Sequence, residues 1–434
     1  MATTSAILRQ RLSEALGDWF SGTVDSGSTT TVVDAAGLPT LTEVDDGIQG
    51  WMLISVANDS AGVSGAPAGE IRRLLAAGGY DSSATEVNVS SVYTAEPAAG
   101  DTYELHRIDP AYKQAMINRS IEELFPLLYL PIIDQSNVAH SLLTDGGFEQ
   151  WSSTSALTHW TKQGSPTLAQ KTSAILFSGK SCLTITYAAA GNGVYQDVTP
   201  MQGDLADAQA TIGGWVWSRS TTATQARLGI SFDGGSTYTY TDYHTGDAQW
   251  EWLEKVVEVP DTAQGYRFLC SIEAAGTAYY DQVMVHFGQK RKRYPIISTI
   301  LLGPHRVSQQ AYASLGDGPY DPVSRRNNLQ AGRSIRLEGM GLLSRPSTDA
   351  GTVEVDGARV DLIVAKAAHN LYRSLYSQST GDSRNDYREL VDYWATEVDA
   401  LSRRPGVRMT AMSAQIPEGW HVEEDADGKY LVID

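Results

Sequence analysis

The strongest constraint in this chain is an insertion. A stretch that reads as β-structure from end to end lies between segments that read as amphipathic helices. Asp145-Gly146-Gly147-Phe148-Glu149-Gln150-Trp151 opens it and Tyr279-Tyr280-Asp281-Gln282-Val283 closes it. A helical scaffold interrupted in this way must close its own core around a second one, so the first question is what the chain assembles with or binds rather than what it cleaves. Its 434 residues suit two to four domains.

The helical segments are defined by spacing. Ile7, Leu8, Arg11, Leu12, Ala15, Leu16 and Trp19 recur at the 3.6-residue period and predict a helix over about residues 4–20, ended by Ser21-Gly22. Asp109-Pro110 is a helix start, since Asp caps free amides and Pro is preset for the first turn; Ile117, Ile121, Leu124 and Leu128 then share one face until Pro131. Val360, Ile363, Val364, Ala367, Leu371 and Leu375 form a third stripe, and Tyr387, Leu390, Val391, Trp394, Val398 and Leu401 a fourth. The turn Gly381-Asp382-Ser383 between them predicts an antiparallel helical hairpin over 357–403. Two helices before the insertion and two after it are enough to close one bundle.

Elsewhere the alternation is that of strands. Thr29–Val33, Gly50–Val56 and Glu86–Val92 predict a small barrel or sandwich over 23–108. Gly419–Ile433 predicts a hairpin about Asp427-Gly428; a lone hairpin is marginal in water, so it should dock on a neighbouring subunit or a tail protein. The expected fold class is α+β and multidomain, a helical bundle carrying a small β domain and a β-sandwich. The expected divisions are 1–22 (bundle helix), 23–108 (small β domain), 109–139 (bundle helix and linker) and 140–288 (sandwich), followed by 289–356 (basic β arm), 357–405 (helical hairpin) and 406–434 (tail hairpin).

Composition narrows the function classes. At 42% hydrophobic and 19% charged the chain is globular, and a formal charge of −18 argues against the whole of it wrapping nucleic acid. No apolar run reaches the roughly 20 residues of a membrane helix, and Met1-Ala2-Thr3-Thr4-Ser5 does not open a secretion signal, so no membrane partner is expected. With only Cys182 and Cys270, no disulfide framework holds the fold, and two buried thiols are the expectation. Residues 289–345 run against the overall sign: ten basic side chains against three acidic ones leave +7, with Lys290, Arg291, Lys292, Arg293, Arg325 and Arg326 in two tight groups. Two readings are open, an arm that meets DNA or an acidic partner, and internal pairing with the chain's surplus carboxylates. Ile296–Leu302 and Ser334–Leu337 are the strands expected there.

Six of the ten tryptophans, Trp151, Trp160, Trp215, Trp217, Trp250 and Trp252, fall within the insertion. Flat aromatics stack on sugar rings, although Trp is also an ordinary core residue. The opening Asp-Gly-Gly-Phe-Glu-x-Trp, the central Gly214-Trp215-Val216-Trp217 and the closing Tyr-Tyr-Asp-Gln-Val resemble the jelly-roll carbohydrate-binding modules attached to many glycanases, over about a third of the chain. That resemblance implies glycan contacts from Trp160, Trp250, Trp252, Tyr238 and Tyr240. It also implies a structural calcium tying first strand to last through Glu149 and Asp281, with backbone carbonyls making up the six to eight oxygens. No other cofactor is expected. Ser231-Phe232-Asp233-Gly234-Gly235-Ser236-Thr237-Tyr238 resembles the sialidase Asp-box, a structural hairpin.

Catalytic motifs are missing from the sequence. Gly179-Lys180-Ser181 ends like a phosphate-binding loop, but Ala174 stands where its first Gly belongs. There is no His-Glu-x-x-His, Cys-x-x-Cys or Gly-x-Ser-x-Gly, and a glycosidase-like carboxylate pair is not singled out.

The scaffold carries its own resemblance. Ala111–Pro126, Arg333–Glu338, Ala365–Tyr372 and Tyr387–Trp394 resemble head-to-tail adaptor, or neck, proteins of tailed bacteriophages. This implies a non-enzymatic virion protein made in the host cytoplasm. It would form a ring with copies of itself, commonly of twelve, between the portal protein and tail or neck proteins, with DNA in the channel. The alternatives are a minor tail, baseplate or decoration protein whose sandwich binds host glycans, and a glycan-active enzyme or its accessory chain.

Overall fold

The computed structural model describes residues 2–38, 52–57, 69–81, 83–187, 192–199, 209–219, 225–287, 292–311, 319–323, 329–380, 382–407, 409, 420–425 and 428–433. The chain divides into two compact units, each built from separated segments: Met1–Leu130 with Leu342–Ala411, and Pro131–Gly341 with Met412–Asp434.

The first unit joins four helices to two four-stranded sheets and a short strand pair, Thr3–Thr4 with Thr352–Val353. Helices α1 (Ser5–Leu16), α2 (Pro110–Glu123) and α3 (Ala358–Gln378) bury Leu8, Leu12, Ile117, Ile121, Ile363, Ala367 and Ala368 in one cluster. Helix α4 (Asp382–Ser402) packs along α3 with half-buried Trp394 and Val398, and of its described side chains only Leu401 is fully buried. The caps work as the sequence requires: Asp109 accepts the Ala111 N–H at 2.8 Å, with Pro110 in the first turn.

Two expectations for α1 fail. The helix stops at Gly17, which takes a left-handed conformation (φ 67°), and Trp19–Thr23 becomes a strand paired with Thr102–His106. Ile7 is 43% exposed, while Ser5, Arg9 and Ser13 are buried. The reason is a buried ionic network. Arg9 pairs with Glu104 at 3.2 Å, and the fully buried Lys113 ammonium reaches Ser13 Oγ and Asp18 Oδ1 at 2.8 Å and His106 Nδ1 at 3.0 Å.

The two sheets of this unit have four strands each. One orders Trp19–Thr23, Thr102–His106, Met52–Ala57 and Ile71–Arg73; the other orders Ser26–Gly27, Thr31–Val33, Glu86–Asn88 and Tyr80–Asp81. Val32, Val87, Tyr103 and Leu105 belong to the core beside them.

The second unit holds the β-sandwich, two flanking sheets and a short hairpin, Trp151–Ser153 with Ala156–Leu157. One face of the sandwich orders Thr161–Gln163, Asn192–Val198, Tyr266–Ile272, Ala226–Ser231 and Thr239–Tyr240. The other orders Thr167–Lys171, Cys182–Tyr187, Gly276–His286, Gln209–Ser218 and Trp250–Glu258. Strand alternation sends Val194, Leu228, Phe268 and Cys270 of the first sheet and Leu183, Ile185, Val216 and Tyr280 of the second into one core. Cys182 and Cys270 are both free and buried.

The stretch expected to be an extended arm is folded instead. Leu301–Gln310 and Ser334–Gly341 lie in a four-stranded sheet with Leu130–Val138 and Tyr320–Pro322, so the strand expected at Ile296–Leu302 starts later. The tail hairpin also differs from expectation in its docking. Trp420–Asp425 pairs with Gly428–Ile433, and the latter pairs with Lys292–Pro295 of the same chain. Leu431 and Tyr294 are buried in one cluster, so the hairpin docks in its own unit rather than on a neighbour.

Candidate functional site

The five aromatic residues singled out for glycan contact separate into three places. Trp160 is core: it is 6% exposed, packs on Phe148 and Phe268, and donates its indole N–H to the Asp145 carbonyl at 3.1 Å. Trp250 and Trp252 lie on the outer face of the second sheet, opposite Trp217 and Trp215. There the rings are occupied with one another. Phe177 stacks on Trp215 at 4.3 Å and meets Trp250 edge-on at 5.4 Å, while Trp215 meets Trp252 at 5.6 Å. Gly332, at φ 74°, leaves no room for a side chain beside the Trp252 indole.

Tyr238 and Tyr240 lie on the outer face of the first sheet, and this face has the composition of a binding surface. In register across it run Tyr195, Leu269, Gly229 and Tyr240, flanked by the Gly193, Ser271, Arg227 row and the Asp197, Arg267, Ser231 row. Gly229 is required here: a Cβ would lie 2.8 Å from the Tyr240 ring, so its absence lets the tyrosine rest against the sheet. Tyr238 stacks on Tyr240 at 5.6 Å and donates its hydroxyl to Gln163 Oε1 at 3.0 Å, which carries it across to the far strand. The hairpin that delivers both tyrosines is the Asp-box-like turn. In it Asp233 Oδ1 accepts the Ser236 and Thr237 N–H groups at 2.9 Å and the Ser231 hydroxyl at 2.6 Å.

Two arginines missed in the sequence complete the face. The Arg227 guanidinium lies 3.5 Å over the Tyr240 ring and 4.5 Å from that of Tyr243, and Arg267 lies 3.8 Å over Tyr195. Arg267 also grips Asp197 with two bonds, at 2.6 and 2.7 Å, and this pairing, helped by a hydrogen bond with Tyr238, holds its pKa above the ordinary arginine value against the opposing effect of burial. Arg227 stands 3.4 Å from Glu273, which accepts the Ser271 hydroxyl at 2.5 Å. Burial raises the Tyr238 and Tyr240 hydroxyl pKa values, so both remain proton donors. At the end of the face beside Asp197 a cavity of about 350 Å³ is lined by Thr199, Phe232, Thr262 and Gln264 among others. The signal for this surface was available as alternation: Arg227 and Arg267 each precede an inward-facing residue, Leu228 and Phe268, in strands bounded by turns.

The calcium pair lies elsewhere in the sandwich. Burial pushes the carboxyls of Asp281 and Asp145 well up and that of Glu149 up to about 7, with mutual repulsion adding to it. The oxygens are turned to backbone amides. Glu149 Oε1 accepts Lys180 N–H at 2.7 Å and Ser181 N–H at 3.3 Å, Asp281 accepts Ser178 N–H at 3.0 Å and Gln282 N–H at 2.8 Å, and Asp145 accepts those of Glu149 and Gln150. Among the described residues no three His, Cys, Asp or Glu side chains converge as metal ligands. Glu149 and Asp281 are hard oxygen donors of the type a calcium takes, and backbone carbonyls would have to supply the rest of its six to eight ligands. The bonds to backbone amides pin the 178–181 loop, and with it Phe177, onto the sheet.

Of the basic groups, Lys290, Arg291, Arg325 and Arg326 lie outside the described residues. Lys292 is in the strand that pairs with the tail. Arg293 is half-buried, 4.0 Å from Glu423 and over the Tyr430 ring, while Arg306 and Arg336 face Glu338 and Arg345 pairs with Glu122. These four follow the internal-pairing reading.

No family model and no curated protein matches the chain. Solved structures similar to part of it include the enzymatically active domain of bacteriophage CBA120 tailspike protein 4, at 13% identity over 34% of this chain and 21% of that one, TM-score 0.26. The CBM22-1 xylan-binding domain from Paenibacillus barcinonensis Xyn10C is similar at 18% identity over 35% and 96%, TM-score 0.25. TmCBM61 in complex with β-1,4-galactotriose is similar at 16% over 33% and 97%, TM-score 0.25. The chain spans about a fifth of the length of the tailspike structure.

Proposed function

We propose that this chain is a structural protein of a tailed-phage virion, a minor tail, baseplate or decoration component, whose β-sandwich binds glycan and performs no catalysis. The observation that carries the reading is the first sheet's outer face, where Tyr195, Tyr238, Tyr240 and Tyr243 are half-buried among Gln163 and two stacked arginines. Tyrosine rings offer apolar faces to the C–H side of a sugar, and the amide, hydroxyl and guanidinium groups beside them read its hydroxyls. Asp197 and Glu273, the carboxylates of this face, are held by arginines, an arrangement suited to orientation rather than to acid–base work. The virion assignment rests on the sequence resemblance of the helical segments. The ring-adaptor reading loses two supports, since the tail hairpin docks within its own unit and Arg293 pairs there.

The test is polysaccharide binding by the full chain, measured by affinity electrophoresis or a glycan array. Tyr195→Ala and Tyr240→Ala together should weaken binding by about tenfold or more while leaving the melting temperature near that of the parent. Unchanged binding would remove the face from the reading, and no binding by the parent protein would remove the reading itself.

A further inference from the structure

We infer that the tyrosine–arginine face selects an uncharged polysaccharide and discriminates against acidic ones; the inference rests on the glycan-binding reading above. A face with two arginines looks at first like a site for a uronate, sialate or phosphate group. The pairing argues otherwise. Arg267 already spends a two-pronged grip on Asp197, and Arg227 faces Glu273. A ligand carboxylate that took the paired N–H groups would displace the partner, and one that took the remaining N–H groups would stand beside the partner, in either case as a like charge in a partly dehydrated place. The planes of both guanidinium groups are also occupied, one by Tyr240 and Tyr243 and the other by Tyr195. As paired, the two arginines and two carboxylates of the face sum to no net charge.

The surrounding field has the same sign of preference. Residues 141–287 carry seven basic side chains against fourteen acidic ones, a formal net −7 that stays negative even with buried Asp145, Glu149 and Asp281 protonated, so an anionic polymer approaches against the field of the whole sandwich. An uncharged polymer of sugars meets no such opposition. It needs apolar ring surface and hydrogen-bond partners, and the face supplies both through its half-exposed tyrosines, Gln163 and the remaining N–H groups. Gly229 keeps the floor low enough for the tyrosines to lie against the sheet, so the surface is an open platform for an extended chain.

The deciding experiment measures binding of the intact protein to two sets of polymers. One set is uncharged (dextran, galactan, xylan, mannan) and the other acidic (polygalacturonate, alginate, polysialate), each at low and high salt. The expected result is binding to at least one uncharged polymer, with little change in affinity between the two salts, and binding about tenfold or more weaker to every acidic one. Asp197→Asn with Glu273→Gln frees both arginines and should raise affinity for acidic polymers and make it salt-sensitive; if that variant misfolds, the parent protein's two panels still decide. Preference of the parent for an acidic polymer, or affinity that falls steeply with salt, overturns this inference and leaves glycan binding standing. Binding to no polymer of either set overturns both.

Discussion

The Glu149 carboxyl holds its proton up to about pH 7 because burial penalises its charge more than the Lys180 and Ser181 amides reward it. The folded-state pKa is therefore above the unfolded one, and the folded protein binds the extra proton between roughly pH 4.5 and 7. Stability from this group is fully present below that window and is lost as pH rises through it, at most about 3 kcal/mol; Asp145 and Asp281 act in the same direction. In a calcium chelator the sandwich should melt higher at pH 5 than at pH 8, and Glu149→Gln should flatten that slope. A slope of the opposite sign that appears on adding calcium would show that a cation occupies these carboxylates. At this scale the sequence was ambiguous for a physical reason: Trp suits a core and a platform equally. Nothing local separates Trp160, packed against Phe148 and Phe268, from Trp250 on the opposite sheet's outer face. Lys113 was illegible for the converse reason, since full burial of an ammonium depends on Asp18, Ser13 and His106 arriving from three other places.

Elements were legible where their signals were local. The cap at Asp109, the α3 stripe and the Asp-box-like turn are each set by residues within a few positions, and each forms where the sequence puts it. The end of α1 was not legible, because Trp19–Thr23 continues the helical period but is claimed by pairing with a strand far along the chain. The tail hairpin is the same case: its turn is local, but its partner, Lys292–Pro295, is distant. Its docking has a testable consequence. Leu431 is fully buried beside Tyr294, so Leu431→Ala should cost about 2–5 kcal/mol in urea unfolding of the second unit. The oligomeric state should not change. Loss of assembly with unaltered unfolding would return the hairpin to an intermolecular role.

At the scale of the whole molecule, each unit is built from discontinuous segments and has its own apolar clusters. The strands of the sandwich lie within 140–288, but hydrogen bonds cross those bounds: Gln282 bonds to Gln310 at 2.8 Å, and the His140 N–H donates to the hydroxyl of Tyr294, which lies in the flanking core. Joining residue 139 to 289 would leave those groups without partners, so that excision should yield an unstable product rather than a trimmed scaffold. A milder perturbation separates the units. Leu371 is fully buried on α3, and Leu371→Ala should remove about 2–5 kcal/mol from the first unit, about 5–15 °C in a unit of this size. Scanning calorimetry should show the first unit's transition moving down while the second unit's stays in place, and polysaccharide binding below both transitions should equal that of the parent protein. A single transition that shifts as a whole would mean that the units unfold together, and that the sandwich depends on the helical unit for its own stability.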